Sequence, residues 1–346
     1  MVADLLRRGA VIDLEQVRFW GHVLIVLKNE KIFVVSLLSL SLMSLPAVVA
    51  PVVASPTELA APTNKVLTEA EIAKARGKGS EGSEGSEVGI AVVDTQRKKQ
   101  FFYNEKKLFP MQSVCKLPVS IAILRLADAG KLSVKDKITV RKADVLTIHS
   151  PIKKAIKGKQ SDFTIRNLIT RSICDSDNTT CDILISRAGG AAAVTRLLEE
   201  ADVKGVRIDR PEGKLQPDSL KIETFLSDPR DTTSPEAMVD LLQKLYSGKL
   251  LSKKSTALIL QDMFNCQTGQ SRIKAGLPAG WTLAHKTGTG RDVSGQNAGT
   301  NDVGVAVGPA GETIYFAIFV KGSKAKIEAR EALMAKVAAK ACAGEL

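Results

Sequence analysis

Apolar positions run in strand-like bursts at both ends of this chain and at helical spacing between them. Val88-Gly89-Ile90-Ala91-Val92-Val93 reads as a short apolar strand. Gln100-Phe101-Phe102-Tyr103 reads as a second strand, joined to the first by a polar turn. From Ser113 the spacing becomes helical: Leu117, Ile121, Leu124 and Ala127 share one face, with more apolar residues beside them. A helix that is apolar nearly all round is a buried one, and Gly130 is a suitable stop. Helical segments continue to about residue 265. One runs from Asn178 to Arg187 and is closed by Gly189-Gly190. Another runs from Ser234 to Leu245, opened by the capping sequence Ser234-Pro235-Glu236. Beyond Gly280 the pattern returns to strands, at residues 281–287, 302–307 and 313–321, before an amphipathic helix over 326–341. Leu67 to Arg76 suits a further helix. Strands at both ends with helices between predict an α/β lobe built by about residues 55–108 and 270–346. They predict an all-α lobe from about residues 109–269, with the functional site in the cleft between the two.

The amino-terminal segment is set apart. Lys28 and Lys31 precede an uncharged apolar run from Ile32 to Val49, and Val52-Val53-Ala54 offers a small-residue cleavage site before Ser55. Residues 28–54 therefore read as an export signal, although the run is also long enough for an uncleaved anchor. A signal at this place puts the expected true start near Leu27, with residues 1–27 an extension. Residues 1–54 are then leader and residues 55–346 the exported domain, periplasmic or secreted, with no membrane attachment after cleavage. Residues 55–66 read as a mobile start. The Gly-Ser-Glu repeat within 77–87 reads as a flexible connector.

Composition narrows the picture little. The chain has 346 residues, 44% hydrophobic and 25% charged, enough for two lobes with real cores. The formal net charge is +12, but Lys and Arg are spread along the chain and aromatics are only 4%, which does not indicate a nucleic-acid partner. A positive field modestly attracts anionic substrates. The five cysteines are odd in number and show no repeating spacing. If Cys174 and Cys181 lie on one helix, their Cα atoms are about 10 Å apart, too far for a bridge. The three histidines are scattered, and no zinc-type spacing appears.

The chemistry is concentrated in three motifs, in order: Ser113-Val114-Cys115-Lys116, Ser176-Asp177-Asn178 and Lys286-Thr287-Gly288. Ser-x-x-Lys alone is common; Ser150/Lys153, Ser271/Lys274 and Ser323/Lys326 repeat it without the company of the others. A serine at a helix N-terminus carries an unpaired N–H and sits in the favourable end of the helix dipole. Lys116, one turn later on the same face, can reach the Ser113 hydroxyl as base or as field. Ser176 can pass a proton to a leaving nitrogen. Asn178 offers an amide to a substrate carbonyl, and Asp177 is suited to hold its loop. Lys286 and Thr287 on a strand can bind a carboxylate, Gly288 lets substrate lie against the backbone, and the N–H of Thr289 is a second oxyanion donor.

These residues resemble the class A β-lactamases over about residues 65–342. The likeness extends to Phe109-Pro110-Met111, Leu117-Pro118, Asp228-Pro229-Arg230-Asp231-Thr232-Thr233 and Gly276-Leu277-Pro278-Ala279-Gly280-Trp281. The resemblance implies the serine β-lactamase / D,D-peptidase-like two-lobe fold, an antiparallel sheet flanked by helices plus a helical lobe. It implies hydrolysis of β-lactam antibiotics through an acyl-enzyme on Ser113 by a monomer that needs no cofactor. It makes Glu212 of Glu212-Gly213-Lys214-Leu215-Gln216 the activator of the deacylating water, with Gln216 replacing the usual Asn. Arg210 and Asp231 match an ion pair that pins this loop, which is longer than usual before Asp231. Arg272 matches a position that in some relatives binds the substrate carboxylate; a solvated surface arginine is the alternative. His149 matches a cleft-edge position that stacks on substrate, or is an exposed loop residue. Rival readings are a D,D-peptidase or penicillin-binding enzyme, and a β-lactam-binding module that does not turn over. Gln112 beside the nucleophile leaves no place for the disulfide of many carbapenem-hydrolysing relatives.

Overall fold

The computed structural model describes residues 66–77 and 86–346 in full, and the backbone of 17–20, 23–28 and 31–36. The chain divides into two units, residues 1–52 and 53–346. In the first, Val17–Trp20, Val23–Lys28 and Lys31–Ser36 form an antiparallel meander. The last of these strands covers the start of the apolar run expected to be an export signal. The rest of that run, its cleavage site, the mature amino terminus to residue 65 and the core of the Gly-Ser-Glu connector lie outside the described residues.

The second unit is built on five antiparallel strands: β1 (Glu87–Asp94), β2 (Lys99–Tyr103), β3 (Thr282–Thr289), β4 (Thr300–Val307) and β5 (Thr313–Lys321). Their order is β3-β4-β5-β1-β2, so β3, the strand carrying the Lys-Thr-Gly motif, is an edge. The sheet is covered on both faces. Ile90, Val92, Phe316 and Ile318 pack against Leu333 and Val337 of the final helix, α10 (Ile327–Cys342), and Ile72 of the first, α1 (Glu69–Arg76). The alternate residues Ala91, Val93, Ala317 and Phe319 join the other core, with Met238 and Leu241 of α8 (Pro235–Tyr246). Burial on both faces is why these strands read as continuous apolar runs rather than as alternation.

That second core continues into the helical region, around α2 (Lys116–Asp128), α3 (Ile165–Cys174), α4 (Asn178–Arg187), α5 (Ala191–Glu199) and α9 (Lys253–Phe264). Every residue of α2 from Lys116 to Leu124 is buried, as its all-round apolar sequence predicts. The cap at Ser234 forms as expected, its side chain accepting from the Ala237 N–H at 3.1 Å with Pro235 in the first turn. A hairpin of Lys137–Arg141 and Gln160–Thr164 was not foreseen. Only Val140 and Phe163 of its residues are buried, so it carries almost no hydrophobic signal. The segment after Glu212 forms two short helices, α6 (Glu212–Asp218) and α7 (Ile222–Ser227). Leu215, Ile222, Phe225 and Leu226 from this segment make a small core of their own with Ala298.

Helix α10 approaches the turn at Ile273–Gly276 so closely that a Cβ on Gly276 would collide with the backbone carbonyl of Ala335. Gly276→Ala must push backbone against backbone, an overpacking penalty of about 2–3 kcal/mol. Urea denaturation of the variant should show the midpoint reduced with the slope unchanged.

Candidate active site

Gln112–Cys115 forms a 3-10 turn that runs into α2 at Lys116. The nucleophile therefore sits one turn ahead of the α-helix proper, not at its first residue. The Ser113 N–H precedes the first bonded N–H of that turn, Val114 to the Met111 carbonyl at 3.1 Å, and stays available to an oxyanion. Gln112 holds φ 50° and Ser176 φ 55°, both in the left-handed region that non-glycine residues avoid. Such strain on either side of a cleft persists only where packing over-determines it. At Gln112 the tether is Asn301, whose amide donates to the Pro110 and Met111 carbonyls at 2.9 and 3.0 Å.

Lys116 Nζ is fully buried and donates to Ser113 Oγ at 2.8 Å, to Asn178 Oδ1 at 2.7 Å and to Glu212 Oε1. Burial opposes charge on both partners of the Lys116–Glu212 pair. Their mutual attraction and hydrogen bond prevail, so the ammonium is held above its ordinary range and the carboxylate below. Glu212 is 2% exposed, not a surface carboxylate. Its backbone N–H and that of Gly213 donate to the Asp182 carboxylate at 2.6 and 3.0 Å, an acidic group placed at the start of α6 where the helix dipole favours it. Burial pushes Asp182 up to about 6. Gln216 Nε2 lies 3.4 Å from the second Glu212 oxygen.

The segment from Glu212 to Asp231 is pinned at its base. Arg210 Nε donates to Asp231 at 2.6 Å, and its Nη1 reaches Asp218 at 2.6 Å and Asp228 at 3.1 Å. The Arg210–Asp231 pair expected from the sequence is thus present with two further carboxylates. Asp177 caps α4, accepting from the N–H groups of Thr180 at 2.9 Å and Ile152 at 2.6 Å, the loop-holding part expected of it.

Across the cleft, Lys286 Nζ donates to Ser176 Oγ at 3.0 Å and to the Thr287 carbonyl at 2.9 Å. Burial lowers this lysine to about 8. Lys286 supplies the proton in its bond with Ser176, so the Ser176 hydroxyl is free to donate its own. The Gly290 N–H bonds the Gly299 carbonyl at 2.7 Å, which makes Thr289–Thr300 a non-bonded pair of the ladder. The Thr289 N–H consequently points off the free edge of β3. A Cβ on Gly288 would stand 2.5 Å from the Met111 carbonyl, so only glycine lets the strand lie this near the nucleophile's turn. Ser113, Ser176, Asn178, Gln216, Thr287 and Thr289 line one cavity of about 370 Å³.

One expectation changes. Arg272 lines the same cavity but is 3% exposed, not solvated. Four of its five N–H donors go to Glu331 at 3.0 Å, to the carbonyls of Gly288 and Asn301 at 3.1 and 2.8 Å, and to Thr289 Oγ1 at 2.7 Å. It braces the end of β3 from the cavity wall. His149 borders the cavity with Nε2 2.8 Å from the Asp175 carbonyl, so its ring orientation is fixed. Sequence reasoning missed Asp182, Asn301 and Gln112 as supports; none belongs to a motif, and each acts through a contact distant in sequence.

Among the described residues, Cys115, Cys181 and Glu212 bring possible metal-ligand atoms together. They do not suit an ion. Glu212 is taken by Lys116, and the hydrogen bond to Cys181 together with burial pushes the Cys115 thiol well above its ordinary range. All five cysteines are free and buried.

A family model described as the β-lactamase enzyme family matches residues 69–343. The extended-spectrum β-lactamase PER-1 of Pseudomonas aeruginosa is 33% identical over 261 residues, 75% of this chain and 82% of that one. A solved β-lactamase from Chitinophaga pinensis superposes with a TM-score of 0.72 at 30% identity, covering 80% of this chain and 97% of its own. The solved ancestral (GNCA) class A β-lactamase gives a TM-score of 0.67 at 32% identity, covering 75% and 95%. The chain therefore belongs to the β-lactamase enzyme family, as a class A serine β-lactamase that hydrolyses β-lactams.

Proposed function

We propose that Ser113 is the acylated nucleophile and that Glu212 drives both the formation and the breakdown of the acyl-enzyme. The observation that carries this reading is the buried contact of Lys116 with both Ser113 and Glu212. In the resting charge state Lys116 already holds its proton, so it can accept one from Ser113 only by giving up its own. The ionised Glu212 is the final base: Lys116 hands its proton to Glu212 as it takes the one from the Ser113 hydroxyl. The attacked lactam carbonyl faces the N–H groups of Ser113 and Thr289, each such donor contributing about 3 kcal/mol. Ser176 gives its hydroxyl proton to the departing ring nitrogen and is replenished from Lys286 or Lys116. Glu212, with the Gln216 amide beside it, then orients water onto the ester; Gln216 provides the same type of donor as Asn from a longer arm. Lys286 and Thr287 hold the substrate carboxylate, and Asn178 the side-chain amide.

A D,D-peptidase or a module that only binds would have no use for a carboxylate buried against the nucleophile's lysine. The segment after Glu212 does not separate it from the site, because Asp182 and the Arg210 cluster hold both ends. We further propose that the protein acts after export, as a monomer, with the mature chain beginning near Ser55.

Purified residues 55–346 should hydrolyse a chromogenic cephalosporin for many turnovers per enzyme, and Ser113→Ala should abolish this. A burst of one equivalent followed by a plateau would return the reading to a penicillin-binding enzyme. Glu212→Gln removes the carboxylate that keeps the buried Lys116 charged, so a neutral Lys116 can still take the Ser113 proton; acylation should persist while deacylation slows at least a hundredfold, and the acyl-enzyme mass should become visible on Ser113. Mass spectrometry of the native protein should find an amino terminus near Ser55; a native peptide from residues 1–26 would exclude the proposed start.

A further inference from the structure

Behind Thr287 lies a series of polar side chains that the reaction scheme leaves without a role. Asp302 Oδ1 accepts from His285 Nδ1 at 2.9 Å, and its other oxygen accepts from the Ile273 N–H at 3.2 Å. Beyond His285 the series reaches Cys266, whose thiol the charged ring lowers. Cys266 Sγ lies 3.2 Å from Thr268 Oγ1, and Thr268 is hydrogen-bonded to the Thr287 hydroxyl. Asp302, His285 and Cys266 are buried, while Thr268 and Thr287 line the cleft. The series thus runs from the core to the place where the substrate carboxylate binds.

We propose that Cys266 is a positioning residue: through Thr268 it sets which way the Thr287 hydroxyl points its one proton, and thereby how firmly the cleft holds the carboxylate of a β-lactam. The inference rests on Lys286 and Thr287 being the carboxylate-binding pair. A hydroxyl has a single proton to donate, so the direction of the series follows from the proton count at the sulfur. His285, held charged by Asp302, favours the thiolate at Cys266. When Cys266 is a thiolate it accepts from Thr268, Thr268 accepts from Thr287, and the Thr287 proton points inward. The cleft then meets only oxygen lone pairs, which repel a carboxylate. When Cys266 is a thiol it donates to Thr268, Thr268 donates to Thr287, and Thr287 donates into the cleft.

The groups around the sulfur are His285 and Lys286 from β3, Thr268 from its own turn and Cys174 at the end of α3. Burial alone would raise the Cys266 thiol, but the charged His285 ring and the charge of Lys286 bring it down to about 7. Burial would lower His285, but Asp302 raises it to about 10, so it stays charged through neutral pH. Burial holds Cys174 at about 12, so it stays neutral. Lys286, lowered by burial to about 8, titrates next above Cys266.

The test compares KM for a chromogenic cephalosporin with KM for its carboxylate methyl ester across neutral pH. In the parent, KM for the acid should rise about threefold to tenfold, the effect of one hydrogen bond, as pH climbs through about 7. The ester, which has no anion to hold, should show no such step. Cys266→Ser, which cannot ionise, should remove the step while turnover persists. Thr268→Val, which cuts the series at another point, should hold KM for the acid at its low-pH value throughout. A step that survives in both variants belongs to Lys286 and overturns the proposal, as does an ester that follows the acid or a parent with no step. Thr287→Val separates the two levels. If it leaves KM for the acid unchanged, the carboxylate reading itself fails, whereas a raised KM with no effect of Cys266→Ser fails this inference alone.

Discussion

An ammonium and a carboxylate removed from water, Lys116 and Glu212, meet beneath the nucleophile. Each alone would be expensive to bury, and losing one partner of such a pair costs about 3–5 kcal/mol because the other is left uncompensated. The attraction between them is what keeps both charged. It also ties three separate parts of the chain to one point: the turn before α2, the start of α4 through Asn178, and the helix that begins at Glu212. Asp182 sets the orientation of that helix and Arg210 the return of the segment behind it. The stretch between Glu212 and Asp231 is held by α7 and a small apolar core of its own, which keeps the carboxylate in place.

The second constraint is the edge position of β3. A strand with a neighbour on one side only leaves alternate N–H groups unpaired, and here those groups face the cleft. The edge is usable because glycine at 288 lets it approach the Met111 carbonyl, and because Arg272 clamps the carbonyls of Gly288 and Asn301 from behind. The arginine supports recognition by holding the strand still. The cleft is therefore assembled from a rigid helix start on one side and a braced strand on the other. The strained backbone at Gln112 and Ser176 is carried by that surrounding structure.

Much of this was legible in the sequence, for physical reasons. The sheet strands are buried on both faces and α2 is buried all round, so their apolar runs stand out without any partner being known. Asp177 and Ser234 cap their helices through local hydrogen bonds, which a local pattern can reveal. The hairpin at 137–164 was invisible because it buries so little. Arg272 is not the solvated surface arginine its sequence also allows, because nothing in its neighbours on the chain signals Glu331 or Asn301.

The sequence by itself determined the chemistry available: a serine, two lysines, a second serine, an asparagine and a glutamate, in motifs whose order and local settings specify a serine acyl-transfer site. Short-range rules suffice for that, since each motif sits where a helix begins or a strand ends. Tertiary structure alone decided the charge states and the supports. Burial of Lys116, Glu212, Lys286 and His285, and the facing of Cys266 toward His285, arise from residues far apart in the chain. A pKa or a brace depends on distance and exclusion of water, and neither is a property of local sequence.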